Sequence, residues 1–571
     1  MRTRYRLGFF FLVLPASACS KGDSTTAATD AGPDATVGSR DSGAVVDASA
    51  LDGGGGLDGG MDGADASSTD GAPQPDGSTP PRGPSVTQFH KNDTRDGMYI
   101  EPSFTKAAAA NMHHDTTFTA AIQGPVYAQP LYVENGVSGK DTLYVATELA
   151  TVYAIDAVSG AIVWRRNYGT PVPLAKIGAP DGDGGFNVCH YIDPTGITGT
   201  PVIDLASRTM YFDSLTTPDD GTTQRQKIFA VSLDDGSVRA GWPIDLESQV
   251  SQGGVAFVSA HQNQRPALAI FQGSIYVAYG GFAGDCPTPY YGWLVSAPLA
   301  APSQVKGWRS SAAGAPMWGP GGPSSDGTYL YEATGNQDNM NVWTQGEAVL
   351  RFSAGPTWAG TSADYFTPSN HAFLDEQDLD LGGTAPVIFD IPNAPKPKLL
   401  LQFGKSGIGH LLDRSNLGGT GTGNGTVGEG LVSALLASGE IRTAPAVYRT
   451  AAGTFAAIKA VGSTCPAGST ILSVKVGVAP YSLTTAWCGD EGGGEGSPIV
   501  TTSDGHQDAI VWAVGAEGDT RLHGFDGETG AVIFNGGLDT FSPTARYQTP
   551  IVAKGRVFWA TNQEVIAFTI K

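Results

Sequence analysis

The sequence predicts an all-β fold, an eight-bladed β-propeller of four-stranded antiparallel blades. Three observations carry the prediction. Glycine is abundant, 78 residues in 571, while charged residues make up only 16%. No long stretch has the 3.6-residue apolar period of an amphipathic helix. A proline followed by a short apolar strand recurs eight times, and each copy leads into further strand-like runs.

The opening strands begin at Pro130 (PLYV), Pro201 (PVID), Pro266 (PALAIF), Pro323, Pro386 (PVIF), Pro445 (PAVY), Pro498 (PIVT) and Pro550 (PIVA). Proline is tolerated in a sheet at the first residue of a strand. Second strands follow as TLYVAT, TMYFDS, SIYVAY, TYLYEA, KLLLQF, TFAAIKA, AIVWAV and RVFWAT. Third strands follow as TVYAIDA, KIFAVSL, GWLVSA, AVLRFSA, GHLLDR, TILSVKV, RLHGFDG and EVIAFTI. Fourth strands open at an aromatic in most units: Trp164, Trp242, Trp308, Trp358, Trp487 and Phe534. Four strands repeated radially are the signature of a propeller. The fourth unit is the weakest, because its first strand (GPGGPSSDG) is glycine-rich, and a count of seven blades follows if it is not a blade. The last unit ends at Lys571 after three strands. Asp115–Ile122 (DTTFTAAI) is the natural donor of its missing strand, which would close the ring and remove the open edges; packing beneath the ring is the alternative.

Ahead of the repeats lie two other regions. Residues 1–18 have a basic start, a short apolar core (LGFFFLVL) and small residues, the pattern of a secretory signal too short to span a membrane. Cys19 follows Ala16-Ser17-Ala18 and resembles a bacterial lipobox, with Ala16 where leucine is usual. That implies lipidation at Cys19 and, with Ser20 next, an outer-membrane address; a plain signal peptide that happens to contain a cysteine is the alternative. Residues 19–85 are nearly all Asp, Gly, Ala, Ser, Thr and Pro, cannot repay their ordering entropy, and read as a disordered tether. Such a coil spans on the order of 45 Å. Residues 86–571 form the propeller. The net charge of −21 argues against nucleic acid as a partner, and a closed ring is expected to be a monomer.

The hairpin over residues 152–164 (VYAIDAVSGAIVW) is the clearest unit. Its Ala154-x-Asp156-x-x-Ser-Gly160-x-x-x-Trp164 resembles the docking motif of PQQ-like propeller repeats, the quinoprotein alcohol dehydrogenase-like superfamily. The resemblance implies that Asp156 and Gly160 shape the turn and that Trp164 packs between blades. Blade 7 repeats it as Gly524-x-Asp526-x-x-Thr529-Gly530 with Phe534 for the tryptophan. Blade 2 keeps Ala230, Asp234, Gly236 and Trp242 at altered spacing. VYAQPLYV, GITGTPVID, GWPIDL, RPALAIFQGSIYVAYG, YFTPSN, DLDLGGTAPVIF and GHLLDRSNLGG resemble a group of secreted bacterial proteins with such repeats. The likeness covers about residues 90 to 571 and is specific for fold, since this family holds both dehydrogenases and non-catalytic scaffolds.

Besides Cys19 there are four cysteines, an even number suited to two disulfides in an exported chain. Three pairings are open. In a four-stranded blade, the loop between strands two and three lies on the same face as the link to the next blade. That places Cys189, Cys286, Cys465 and Cys488 on one face, with Cys189–Cys286 and Cys465–Cys488 as the short-range solutions; no two have metal-ligand spacing. The same face carries the long insertions, where binding usually lives. Candidate binding residues there are His190, Tyr290, Tyr291, Asn336 and Trp343. Asp181 and Asp183 (DGDGGF) are weak metal candidates, because the twelfth position of that loop is Ile192 and not the glutamate of an EF-hand. GNGTVG fits a dinucleotide fingerprint only by coincidence, having no helix pattern after it.

Two functions follow from the resemblance. One is a non-catalytic module that binds a protein or glycan on the elaborated face. The other is an alcohol or sugar dehydrogenase using PQQ and calcium. The family's dehydrogenases carry adjacent cysteines over the quinone, which this sequence lacks, and their calcium ligands and base have no matching positions here. Lys405 is a single cofactor-binding candidate, able to meet a carboxylate. The binding reading is favoured, and no cofactor is required by it.

Overall fold

The computed structural model describes residues 83–180, 186–283, 285–338, 342–537 and 539–571. The signal sequence, Cys19, most of the tether, Asp181 and Asp183 lie outside them. Within them the chain forms eight small antiparallel sheets in succession. The first consists of Leu131–Val133, Thr142–Thr147, Thr151–Asp156 and Ile162–Asn167. Its two middle strands are buried along their whole length, while the outer strand is largely exposed. That is why the middle strands read as continuous apolar runs: each sheet is covered on both sides by its neighbours.

The contacts between sheets show the ring. Tyr144 and Val152 of blade 1 share an apolar cluster with Ile203, Phe212 and Phe229 of blade 2. Val202 and Tyr211 of blade 2 share another with Val277 and Trp293 of blade 3. The pattern continues through blades 3 to 7. The last cluster joins Trp512 of blade 7, Phe568 of blade 8 and Tyr153 of blade 1, which closes the circle. Blade 4 is a true blade, although its inner strand is only Ser324–Ser325. The count is eight.

The turn between the third and fourth strands of blade 1 is built as the motif implies. Asp156 Oδ1 accepts the backbone N–H groups of Val158 (2.9 Å) and Ser159 (3.2 Å), and the Gly160 N–H returns to the Asp156 carbonyl at 2.8 Å. Gly160 sits at φ +80°, and a Cβ there would collide with the Thr119 backbone. Asp526 and Gly530 repeat the same bonds in blade 7, at 2.9, 3.2 and 2.8 Å. The Trp164 indole donates to the Leu233 carbonyl of blade 2, and Trp487 to Gly527 of blade 7, so both tie one blade to the next.

Two details differ from the sequence reading. In blade 2 the aspartate position is taken by Ser232, whose carbonyl receives the Gly236 N–H at 2.9 Å. Asp234 instead pairs with Arg208 at 2.5 Å, so the turn keeps its four-residue spacing with a different residue, while the tryptophan spacing is altered: Trp242 stands six residues after Gly236 where Trp164 stands four after Gly160. Not every aromatic opens a fourth strand either. Trp242 precedes Ile244–Asp245, Trp358 lies in the turn before Tyr365–Thr367, and Trp487 stands near the end of Tyr481–Gly489.

Blade 8 has three strands of its own, Ile551–Ala553, Arg556–Ala560 and Glu564–Thr569. Its fourth comes from ahead of blade 1 in two pieces: His113–His114 pairs with Phe568 and Thr569, and Ala120–Ala121 with Glu564 and Val565. The donor thus begins two residues before Asp115. Asp115 interrupts it because its carboxylate accepts the Thr117 N–H (3.1 Å) and hydroxyl (2.6 Å) in a local turn. Asp115 also pairs with Arg556, whose guanidinium donates to Ala157 and Val158 of blade 1.

Residues 85–101 line the inside of the ring, a feature with no counterpart in the repeat pattern. Val86 bridges Tyr132 of blade 1, and the Thr87 carbonyl receives Ile203 of blade 2. Carbonyls of Asp93, Thr94, Asp96 and Gly97 then receive Ser325, Ile388, Val447 and Val500 of blades 4 to 7. Met98–Ile100 finally adds a parallel strand to blade 7. Blade 3 is reached by Arg95, buried at 1% exposure, which donates to the carbonyls of Leu268, Pro323 and Phe89. Phe89 packs with Ala267 of blade 3 and Ala444 of blade 6 and so fills the axis.

Candidate ligand-binding site

Each inner strand starts nearest the axis on the face that carries the inter-blade links. The last residues of those links therefore point their side chains at the axis, above the belt formed by residues 85–101. Arg265 directly precedes Pro266, and Trp318 lies in the link into blade 4. Arg442, Glu495 and Tyr547 stand three residues before Pro445, Pro498 and Pro550. Tyr191 comes from the link between blades 1 and 2.

The Arg265 guanidinium is enclosed by three rings, 5.2 Å from the centroid of Trp318, 5.7 Å from Tyr547 and 5.9 Å from Tyr191. The residue is 9% exposed. Among the described residues it makes no ion pair or side-chain hydrogen bond, and its Nε is buried without a partner. The neighbouring cations are all compensated. Arg546 lies over Tyr191 at 4.6 Å and pairs with Glu517 at 2.8 Å. Arg442 pairs with Glu440 and Glu495. Lys405 lies over Trp318 at 5.5 Å and is held by Asp378 (2.8 Å) and Asp380 (2.6 Å).

The structure divides the sequence candidates into two groups. His190, Tyr290, Asn336 and Lys405 gather around the axial cluster. His190 packs edge-on to Phe282 and against Tyr191. Burial, with Arg265 nearby, drives its pKa down to about 3, so it is neutral, and neither ring nitrogen has a partner among the described residues. Tyr290 donates to Asp285 at 2.8 Å. Asn336 gives its backbone N–H to Asp380 (2.8 Å) and its amide to Asp378 (2.9 Å), joining the Lys405 network. Behind that network Glu347 is fully buried, its Oε2 accepting the Leu381 N–H at 2.5 Å. Burial, with Asp380 beside it, holds Glu347 well above the usual carboxylate range.

Tyr291 and Trp343 belong elsewhere. Tyr291 lies under Arg309 at 4.8 Å, and Trp343 stacks on Tyr365 of the outer strand of blade 4 at 4.4 Å. Both serve the periphery of blades 3 and 4 and not the axis.

Two disulfides brace this face. Cys189 and Cys286 are joined with Cα atoms 5.4 Å apart, and Cys465 and Cys488 at 5.8 Å. The first ties the link after blade 1 to a loop of blade 3, inside a small apolar cluster with Val172, Ile177, Leu215 and Phe282. It thereby fixes His190 and Tyr191 over the axis. Arg265, Trp318, Tyr547, Arg546, Arg442 and Glu495 were not among the sequence candidates. Their signal was present all the same: they sit in the links one to a few residues before each blade opens.

Among the described residues no three His, Cys, Asp or Glu side chains converge as metal ligands, and no helix is long and apolar enough to cross a membrane. No protein-family model and no curated protein matches the chain. Solved structures do match it in shape. The quinohemoprotein alcohol dehydrogenase of Comamonas testosteroni aligns with TM-score 0.55 at 13% identity over 85% of this chain and 80% of that one. Quinohemoprotein alcohol dehydrogenase ADHIIG of Pseudomonas putida HK5 aligns with TM-score 0.55 at 10% identity over the same shares. A europium-containing methanol dehydrogenase aligns with TM-score 0.56 at 12% identity, over 84% and 90%. At these identities the likeness concerns the fold alone, an eight-bladed propeller shared with these dehydrogenases.

Proposed function

We propose that this chain is an exported, lipid-anchored binding module whose elaborated face captures a ligand through one carboxylate at the ring axis. The observation that carries the reading is Arg265. A buried guanidinium with no carboxylate in direct contact, and only Glu495 acting on it from nearby, is expensive, and the aromatic cage offsets it only in part, each ring contributing about 0.5–2 kcal/mol. The planar fork of arginine matches a carboxylate through two parallel hydrogen bonds. The surrounding Trp318, Tyr191 and Tyr547 rings suit an apolar body attached to that carboxylate. Every other cation of the cluster already has its acid, which limits the site to a single anionic group.

A quinone cofactor is the second reading, favoured by the same cations. Arg265, Arg442, Arg546 and Lys405 would suit the carboxylates of PQQ. The residues do not suit its calcium, since no set of three ligands converges among the described residues, and no two cysteines are adjacent. No redox step is assigned to the site.

The test uses the mature protein. Benzoate, indole-3-acetate and octanoate are titrated while tryptophan emission is followed. Saturable binding by at least one, lost in Arg265→Gln, is the expected result. Binding that survives Arg265→Gln refutes the axial site. In parallel the protein is incubated with PQQ and Ca²⁺ and desalted. Retained quinone absorbance together with dye reduction by alcohols or aldoses would replace the binding reading with the dehydrogenase. Cys19→Ala should move the protein to the soluble fraction, and continued membrane association would refute the anchor.

A further inference from the structure

A second site lies away from the axis, on the circumference between blades 3 and 4. It is a cleft of about 450 Å³, within the range of roughly 300–1,000 Å³ typical of small-molecule sites. Trp308, on the outer strand Lys306–Arg309, and Trp358, in the turn before the outer strand of blade 4, meet in it with ring centroids 5.9 Å apart and planes at 67°. Trp308 is locked in place by an edge contact with Phe352 at 4.9 Å and is only 6% exposed. Trp358 is half-buried.

Both walls are pinned. On one side Gln252 accepts the Arg309 backbone N–H at 2.6 Å through Oε1, and its own carbonyl accepts Arg309 Nε at 3.3 Å. On the other, the N–H of Gly355 donates to the Tyr276 hydroxyl of blade 3 at 2.8 Å, which holds the turn over residues 355–358 against that blade. The cleft is therefore formed before any ligand arrives.

Its polar groups are unused. The side chains of Gln249 and Ser251, the Gln252 amide NH₂, the Lys306 ammonium and the Trp308 indole N–H make no hydrogen bond or ion pair among the described residues. An edge-to-face pair of indoles ringed by free amide, hydroxyl and ammonium groups has the chemistry of a pyranose ring in negative. The sugar's C–H face packs on an aromatic plane, and its equatorial hydroxyls exchange hydrogen bonds with amides. A purely apolar ligand would leave these donors unpaired, and a polyanion would meet one cation. We propose that this cleft is a lateral glycan-binding site that takes a hexopyranose unit, independent of the axial site.

The mature protein is titrated calorimetrically with cellotetraose, maltotetraose, chitotetraose and tetragalacturonate, up to millimolar concentration. At least one is expected to bind. Trp358→Ala is expected to weaken that binding about ten-fold, the scale of one lost aromatic contact. Gln249→Ala, at an exposed position whose loss does not threaten folding, should weaken it several-fold and keep the wild-type unfolding transition, whereas Trp358→Ala also loses packing on Trp343 and Tyr365 and should lower that transition while the protein stays folded at the titration temperature. A preference for tetragalacturonate that disappears in Lys306→Ala would assign the ammonium to an acidic sugar, and equal binding of a neutral tetrasaccharide in that variant would assign the site to neutral ones. Failure of all four to bind, or binding unchanged in both Trp358→Ala and Gln249→Ala, overturns the proposal.

Discussion

Glu148 shows at the scale of a single residue what the ring demands of its buried polar groups. It follows the second strand of blade 1 and is fully buried. One oxygen accepts the Gly196 N–H at 2.7 Å, which fastens the link into blade 2, and the Thr198 side chain lies beside the carboxyl. Burial raises its pKa from 4.5 to about 7, and the hydrogen bonds from Gly196 and Thr198 oppose this only in part. The sign follows. A carboxyl raised in the folded state binds its proton more tightly there than in the unfolded chain, so its contribution to stability is full below pH 4.5. It fades as pH rises through 7, by about 3 kcal/mol over that window. Glu148→Gln keeps a neutral side chain at every pH. The variant and wild type should therefore differ least near pH 4.5, and the variant should gain on wild type toward pH 8. Urea unfolding at both pH values checks this, and a difference that does not change with pH would show that Glu148 does not titrate in this range. Arg265 is the opposite case, a buried charge that cannot shed its proton and is offset by three ring faces and by Glu495 nearby, with no carboxylate in direct contact.

At the scale of the element, the loops over the axis depend on their disulfides. Cys189–Cys286 closes a separation of 97 residues and Cys465–Cys488 one of 23. Loop-closure entropy makes the first worth about 4–5 kcal/mol and the second about 3. Cys189→Ala with Cys286→Ala should thus lower the urea midpoint more than Cys465→Ala with Cys488→Ala. Only the first double substitution should also weaken carboxylate binding, because it alone frees the link that carries His190 and Tyr191. Equal losses would mean that the longer clamp spans a segment already ordered in the unfolded chain. The same elements show what was legible in the sequence. Middle strands such as TLYVAT and turns such as Asp156–Gly160 were readable because their pattern is local: burial on both faces, or bonds four residues apart. The replacement of aspartate by Ser232 was hidden, since Asp234 stands only two residues away and invites the wrong register. The axial cluster was hidden for a different reason. Arg265, Trp318 and Tyr547 come from links into blades 3, 4 and 8, and only closure of the ring makes them neighbours. Residues 85–101 were illegible because the belt uses backbone carbonyls, which leave no trace in side-chain periodicity.

At the scale of the whole molecule, the segment ahead of the first blade holds the ring in two ways. Its belt satisfies one backbone N–H on the inner strand of blades 1, 2, 4, 5, 6 and 7, and Arg95 reaches blade 3. Its strands at His113–His114 and Ala120–Ala121 complete blade 8 against blade 1. An array of repeats that touch only their neighbours can open piecemeal. A belt bonded to nearly every blade couples them, because losing it uncovers buried N–H groups all round the channel, each worth about 1–3 kcal/mol. The segment also enters on the far side from the axial site: Ser85 Oγ accepts the Glu134 N–H at 3.0 Å, in the loop between the first two strands of blade 1. A variant lacking residues 20–82 should unfold in one calorimetric transition, as is expected of the full chain, and bind carboxylates equally well. A variant lacking residues 83–122 should lose the single transition, expose an open-edged blade 8 and tend to associate. If that second variant still melted in one step as a monomer, inter-blade packing alone would close the ring, and the belt would be a plug and not a girdle.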